Sequence, residues 1–245
     1  MKTAIVIPAR YHSTRLPGKM LLAETGKFLV QHVYDQAVKS KLTDTVIIAT
    51  DDERIASAAA SFGVDAVLTS PDLLTGTERV AEAAADAGCE IVVNLQGDEP
   101  GIDPGLIDRL IELQQKEPDT QVATAAYRIN PPDLSLNPNI VKVVINKTGH
   151  ALYFSRSPIP YYRNGVEERI YYGHVGIYAY KRDFLLELNG MRETALEAAE
   201  KLEQLRVLEN GHKIRVIMCD HGFTGIDTKE DYEQFVEEWK RKHHS

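Results

Sequence analysis

Short apolar, β-branched runs alternate with amphipathic stretches over roughly the first 130 residues, and that alternation leaves few folds open. Residues 4–7, 45–50, 66–69, 90–95 and 121–129 have the composition of strands. Between them, residues 30–39, 77–87 and 104–116 carry apolar residues at helical spacing. Asp51, Asp52 and Glu53 supply carboxylates for the electropositive start of another helix, and Pro104 suits the first position of the one it opens. This order implies a mostly parallel sheet with helices on both faces. A chain of 245 residues is long enough for one such domain with a large core.

The first strand ends at Pro8, which cannot donate to a central ladder. It runs into a loop that holds Arg10, Tyr11, Ser13, Thr14, Arg15, Pro17, Gly18 and Lys19. Such a loop, at the carboxyl end of a first parallel strand, lies where open α/β sheets bind ligands. Arg10, Arg15 and Lys19 offer fixed positive charge, and backbone N–H groups there can wrap an anion. A polyphosphate would use all of this; a merely solvated basic loop would use none. The P-loop pattern is absent, and no G-x-G-x-x-G follows the first strand, which disfavours P-loop and dinucleotide-binding enzymes.

A net charge of −8 counts against a nucleic-acid partner. A polyanionic ligand would then need a local basic site and bound cations to override the global field. Cys89 and Cys219 show no metal-ligand spacing. No signal-peptide pattern or run of ~18 apolar residues is seen, so a cytoplasmic chain without membrane insertion is expected.

After residue 130 the pattern changes. Pro131, Pro132 and Pro138 interrupt the chain. Residues 141–145 and 151–155 read as strands joined by a turn at Lys147, Thr148 and Gly149, followed by a Tyr-rich, irregular stretch to Tyr172. The expectation is a single domain over 1–245, with a β-rich lobe at about 130–190 that forms a lid or a dimerisation surface. Residues 193–210 read as one amphipathic helix, 213–219 as a last strand and 228–242 as a last helix.

Several motifs could carry chemistry. Gln96-Gly97-Asp98-Glu99-Pro100 follows an apolar strand; Gly97 permits close backbone approach, and Asp98 stands at the strand end where a catalytic cation sits in α/β folds. Asp98 could instead cap the helix near Pro104. Asp227, between the last strand and the last helix, is a second carboxylate, with helix capping by Asp227 or Thr228 as its alternative. A polyphosphate site needs Mg²⁺, and Mg²⁺ needs one or two carboxylates. Thr75-Gly76-Thr77-Glu78-Arg79 could face a base or phosphate, although a capping box between Thr75 and Glu78 explains part of it. Gln96 could read a base edge with its amide. Arg156 follows the strand 151–155 and suits bidentate contact with a carboxylate, or an ion pair between lobe and core. His174 precedes or enters a further strand and is as open to a structural role.

The first loop resembles the nucleotide-binding loop of sugar nucleotidyltransferases. With Thr75–Arg79, Gln96–Pro100, Asn139–Val144, Ala151–Arg156, His174–Tyr178, Leu202–Arg206 and Gly225–Thr228, the chain resembles the 3-deoxy-manno-octulosonate (Kdo) cytidylyltransferase family over nearly its full length. The resemblance implies a three-layer α/β/α domain of the nucleotide-diphospho-sugar transferase type. It implies that CTP and Kdo give CMP-Kdo and pyrophosphate for lipopolysaccharide biosynthesis, with Mg²⁺ as cofactor. Arg10, Ser13, Arg15 and Lys19 would then hold the triphosphate. Thr75, Gly76, Arg79 and Gln96 would line the cytidine pocket. Asp98 and Asp227 would bind the metal, and Arg156, His174, Tyr178, Glu203 and Gln204 the sugar acid. Arg10 and Lys19 would also stabilise the leaving pyrophosphate. A homodimer is expected, with no nucleic acid. Ala195 and Phe223 depart from residues common in the family, Pro and Gly, without touching a named ligand residue. Related acidic sugars such as 8-amino Kdo or a sialic-type acid, or a non-catalytic nucleotide sensor, are the alternatives. A metal-dependent glycosyltransferase would carry a D-x-D triplet, which the sheet region lacks.

Overall fold

The computed structural model describes residues 1–13, 15–163, 169–223 and 225–243, without the side chains of Pro132, Asp133 and His243. Thr14 and Thr224, which fall within two of the motifs, and positions 164–168 of the expected lobe lie outside the described residues.

The alternation produces the expected architecture. Strands β1 (Thr3–Ala9), β2 (Thr45–Thr50), β3 (Ala66–Leu68), β4 (Ile91–Asn94) and β5 (Val122–Arg128) are separated by helices α1 (Leu29–Ala37), α2 (Glu53–Ser61), α3 (Gly76–Ala85) and α4 (Pro104–Lys116). Then follow β6 (Lys142–Ile145), β7 (Ala151–Ser155), β8 (Tyr172–Lys181), α5 (Arg182–Asn189), α6 (Ala195–Glu200), α7 (Gln204–Glu209), β9 (Ile214–Cys219) and α8 (Lys229–His243). The main sheet has the order β3-β2-β1-β4-β8-β5-β9, with β6 joined to β7 and β8. All neighbours along it run parallel except β8, which is antiparallel to both β4 and β5.

Successive side chains of a strand face opposite layers. Ala4, Val6, Val92 and Val122 pack with α3, α5 and α7 on one face, and Ile5, Ile7, Val93 and Ala123 with α1, α2 and α4 on the other. This is the three-layer α/β/α arrangement. Helix α8 docks separately, through Tyr232 and Val236 against Leu29 of α1 and Ile226. No helix among the described residues is long and apolar enough to cross a membrane.

Two expectations about the second half need correction. Residues 172–190 were grouped with the lobe, yet β8 lies at the heart of the main sheet and α5 packs against α3. The apolar residues of β8 recur every second position, with Val175, Ile177 and Ala179 fully or nearly fully buried on one face. Tyrosines occupying the other face masked that period. The single helix expected over 193–210 is two short helices. Lys201 takes a left-handed conformation (φ 53°) and ends α6, so that Leu202 and Glu203 turn before α7 begins. A non-glycine residue there costs local strain, which the surrounding contacts must offset.

Candidate active site

The carboxyl ends of β1 and β4 converge on one edge of the molecule. Leu95 N–H donates to Val6 C=O (3.1 Å), and Gly97 then passes so close to β1 that a Cβ there would lie 2.8 Å from the Pro8 carbonyl oxygen. No other residue type allows that approach. It brings Asp98 beside the loop that follows β1.

Lys19 is the hub of that loop. It sits at the start of a short 3₁₀ turn, Lys19–Leu21, entered through Gly18 at φ 69°. Its Nζ donates to Asp98 Oδ2, to the Ile226 carbonyl (3.0 Å) and to Asp227 Oδ1 (3.2 Å). Arg15 reaches the other oxygen of Asp227 at 2.8 Å. Ile226 N–H in turn donates to the Asp98 carbonyl (2.9 Å), which ties the segment before α8 to the end of β4. Two carboxylates far apart in sequence thus share one buried ammonium. Asp227 does not cap α8; its own N–H and that of Thr228 donate to Asp231 at 3.1 and 2.8 Å. Asp98 does not cap α4 either, since Asp103 performs that role through Gly105 N–H. Arg10 Nη1 donates to the Leu74 carbonyl (2.6 Å), while its buried Nε has no partner. Ser13 Oγ accepts a long bond from Leu16 N–H (3.4 Å).

A cavity of about 400 Å³ opens beside this cluster. Thr75, Gly76, Gln96, Arg156, His174, Tyr178, Glu203 and Gln204 all line it, so the structure brings eight of the singled-out residues together. Three elements present six of them, while Gln96 follows β4 and Arg156 follows β7. The capping box that joins Thr75 and Glu78 starts α3 at its edge. The even-numbered face of β8 offers His174, Gly176, Tyr178 and Tyr180. The break between α6 and α7 turns Glu203 and Gln204 inward.

Arg79 is the exception. Its side chain is fully buried outside the cavity, where Nη2 donates to Asp51 (2.9 Å) and Nη1 to Thr69 Oγ1. A wholly enclosed guanidinium needs such partners. Arg79, expected in the cytidine pocket, therefore does not line this cavity: it braces the Thr69–Ser70 segment against the end of β2. Arg156 lines the cavity, but its donors are also engaged. They reach the carbonyls of Glu200 (2.8 Å), Pro138 (3.0 Å) and Lys201 (3.3 Å), so it caps the end of α6 and holds the lobe to it through backbone carbonyls.

The electrostatics of the cavity wall follow from burial. Desolvation pushes His174 down to about 3, which keeps its imidazole neutral. Its Nε2 lies 2.9 Å from Thr124 Oγ1. That hydroxyl also sits 2.8 Å from the Ile177 carbonyl and 3.2 Å from that of Val175. Its one proton is taken by a carbonyl, so Nε2 carries the N–H and Nδ1 is left as an acceptor. The stagger between Thr124 and Ala125, opposite residues 175–178, is the β-bulge that makes this contact. Burial also raises Glu203. Glu99 is lifted to about 8 by burial and then by the Asp98 charge, and its Oε2 has no partner. Glu99, Gly176 and Tyr180 join the site only through the fold. Glu99 adjoins Asp98 in a quoted motif, and a carboxylate beside a catalytic candidate was the available signal. Among the described residues no group of three or more His, Cys, Asp or Glu side chains could hold a metal. A cation here would rest on Asp98 and Asp227 and draw its other oxygens from water and ligand.

The arrangement matches known proteins closely. Residues 4–214 match the cytidylyltransferase family model. A 3-deoxy-manno-octulosonate cytidylyltransferase of Geobacter sulfurreducens is 47% identical over 98% of this chain and 100% of its own. One from Solibacter usitatus is 48% identical over 94% of this chain and 91% of its own. A solved CMP:2-keto-3-deoxy-manno-octonic acid synthetase complexed with CTP superposes with a TM-score of 0.94 at 42% identity, covering 99% of this chain and all of that one. With its basic loop, paired carboxylates and adjoining cavity, the chain belongs to the 3-deoxy-manno-octulosonate cytidylyltransferase family.

Proposed function

We propose that this protein transfers a cytidylyl group from CTP to Kdo, giving CMP-Kdo and pyrophosphate. The observation that carries this reading is the convergence of Lys19, Asp98 and Asp227 beside a cavity lined by Gln96, His174 and Tyr178. The family match supports the choice of nucleotide and sugar acid.

In this reading the anomeric hydroxyl of Kdo attacks the α-phosphorus of CTP. The bond from that phosphorus to the α,β-bridging oxygen breaks, the electron pair leaves with pyrophosphate, and the hydroxyl proton is lost to solvent. Arg10, Ser13, Arg15 and Lys19 hold the triphosphate, and the unpartnered Nε of Arg10 supports a role as a waiting donor. Lys19 and Arg10 stabilise the charge that develops on pyrophosphate. Thr75, Gly76 and Gln96 take the base. The Gln96 amide, now 3.2 Å from Asn94 Oδ1, has both a donor and an acceptor for a cytosine edge.

Asp98 and Asp227 fit Mg²⁺, being two hard carboxylates from separate segments drawn onto one cationic point. When bound, the ion neutralises charge on the reacting phosphate and lowers the pKa of the attacking hydroxyl. Arg156 reads the sugar carboxylate by exchanging a carbonyl partner for it. Neutral His174 accepts a sugar hydroxyl through Nδ1, and Tyr178, Glu203 and Gln204 complete the polyol contacts. The exposed Leu134, Leu136, Leu152 and Tyr161 of the 130–171 segment support its use as a homodimer surface.

The deciding assay is pyrophosphate release with Mg²⁺ and either CTP or UTP, against Kdo, 8-amino Kdo and a sialic acid. CTP with Kdo should be the fastest pair. A site that hydrogen-bonds the 4-amino group leaves its acceptor unpaired against UTP. Equal rates with CTP and UTP would refute the reading, and faster turnover of another acid would reassign the sugar.

A further inference from the structure

The end of β2 carries two consecutive acids, Asp51 and Asp52, and each holds an arginine. Asp51 takes Arg79, as described above. Asp52 accepts from Arg54 Nε (2.8 Å) and Nη2 (2.6 Å), and also from the Arg54 N–H (2.9 Å), which starts α2. Its own N–H is fixed by Thr50 Oγ1 at 3.2 Å. The paired guanidinium holds Asp52 well down, at about 2. Arg54 is thus a planar cation locked in one orientation on rigid secondary structure.

That cation lies flat on the first loop. The guanidinium carbon of Arg54 is 3.3 Å from the centroid of the Tyr11 ring. The edge of the same side chain meets Gly18, where a Cβ would stand 3.5 Å from ring atoms Cε2 and Cζ and from the hydroxyl oxygen. Gly18 N–H donates to the Tyr11 carbonyl at 3.0 Å, which closes residues 11–18 into a ring of chain. Arg10 leaves that ring at one end and Lys19 at the other. Neither Arg54 nor Tyr11 lines the cavity or touches Asp98 or Asp227.

We infer that Asp52, Arg54 and Tyr11 form a clasp that sets the triphosphate-binding loop in its working shape before the nucleotide arrives. The inference rests on the loop's role in holding CTP. Arg54 and Tyr11 are positioning residues. They act through the geometry of Arg10, Ser13 and Lys19, and preorganisation of a loop lowers the ordering cost of binding. Arg54 has a side chain 55% exposed, so its removal leaves the core intact. The clasp contacts the CTP loop and not the sugar wall, and it should therefore affect one substrate and spare the other.

The test is steady-state pyrophosphate release by Arg54→Met, Tyr11→Leu and Tyr11→Phe, with thermal melting of each, and calorimetric binding of CTP with Mg²⁺. Arg54→Met and Tyr11→Leu should raise the KM and the calorimetric Kd for CTP by about two- to fivefold, the range for an exposed cation–π contact. Their KM for Kdo and their melting temperatures should stay near wild type. Tyr11→Phe keeps the ring and should recover CTP affinity. Unchanged CTP binding in Arg54→Met and Tyr11→Leu would overturn the clasp. So would losses for CTP and Kdo that rise together with early melting, or a Tyr11→Phe as weak as Tyr11→Leu. Absence of pyrophosphate release by the wild type would sink the proposed reaction instead, and calorimetry with CTP would still decide the clasp.

Discussion

Replacing His174 by glutamine should change how stability responds to acid. The wild-type imidazole has its pKa lowered from 6.5 to about 3 by burial. A group whose charged form is disfavoured in the fold gives stability that is complete above its unfolded pKa and is lost as pH falls toward the folded one. The window is therefore 6.5 down to about 3. Between about pH 7.5 and about pH 5 the unfolded chain takes up nearly one proton at this site and the folded chain almost none, which removes about 2 kcal/mol of stability. Glutamine does not titrate, and its amide N–H can still reach Thr124 Oγ1. Glu99 works in the opposite sense. Its folded pKa is raised to about 8 from 4.5, so its contribution falls as pH rises through that range. The informative quantity is therefore the difference between wild type and His174→Gln at each pH, in which Glu99 cancels. Urea unfolding followed by the fluorescence of the single tryptophan supplies it. The wild type should lose about 2 kcal/mol more than the variant over that interval. Parallel profiles for the two proteins would refute a neutral, buried His174 and with it the acceptor role of Nδ1.

Other substitutions probe the rest of the site. Asp98→Asn should fold normally and lose on the order of a thousandfold in turnover if, as proposed, Asp98 and Asp227 together hold the metal; a third of wild-type activity at saturating Mg²⁺ would exclude that role. Arg156→Ala removes donors to three backbone carbonyls, so a loss of about 1–3 kcal/mol in stability is expected along with a KM for Kdo raised well beyond that for CTP. Arg156→Lys should restore part of the stability but little of the Kdo affinity, and equal losses for both substrates would leave Arg156 a purely structural residue. Gly97→Ala puts a Cβ 2.8 Å from the Pro8 carbonyl oxygen and should force β4 away from β1, lowering turnover and melting temperature together; an active, stable variant would show that Asp98 does not depend on that approach.

The sequence alone was enough for the layered architecture and for the two acids and the lysine at the centre of the site. Strand and helix periods differ, and α4 and β7 begin and end at the residues where the pattern and Pro104 predict. The segments that follow β1, β4 and β9 leave parallel strands at the same edge of the sheet, which is why Lys19, Asp98 and Asp227 could each be singled out without coordinates. Tertiary structure decided the matters that depend on neighbours distant in sequence. Whether Arg79 faces ligand or interior was settled by Asp51, a partner 28 positions away that only folding brings near. Whether β8 belongs to a lobe or to the sheet depended on β4 and β5 offering two open ladders. Glu203 and Gln204 reach the cavity only because the left-handed Lys201 breaks the expected single helix and turns the chain before α7. Local sequence reports its own period and caps, and it is silent on which distant group will meet a buried charge.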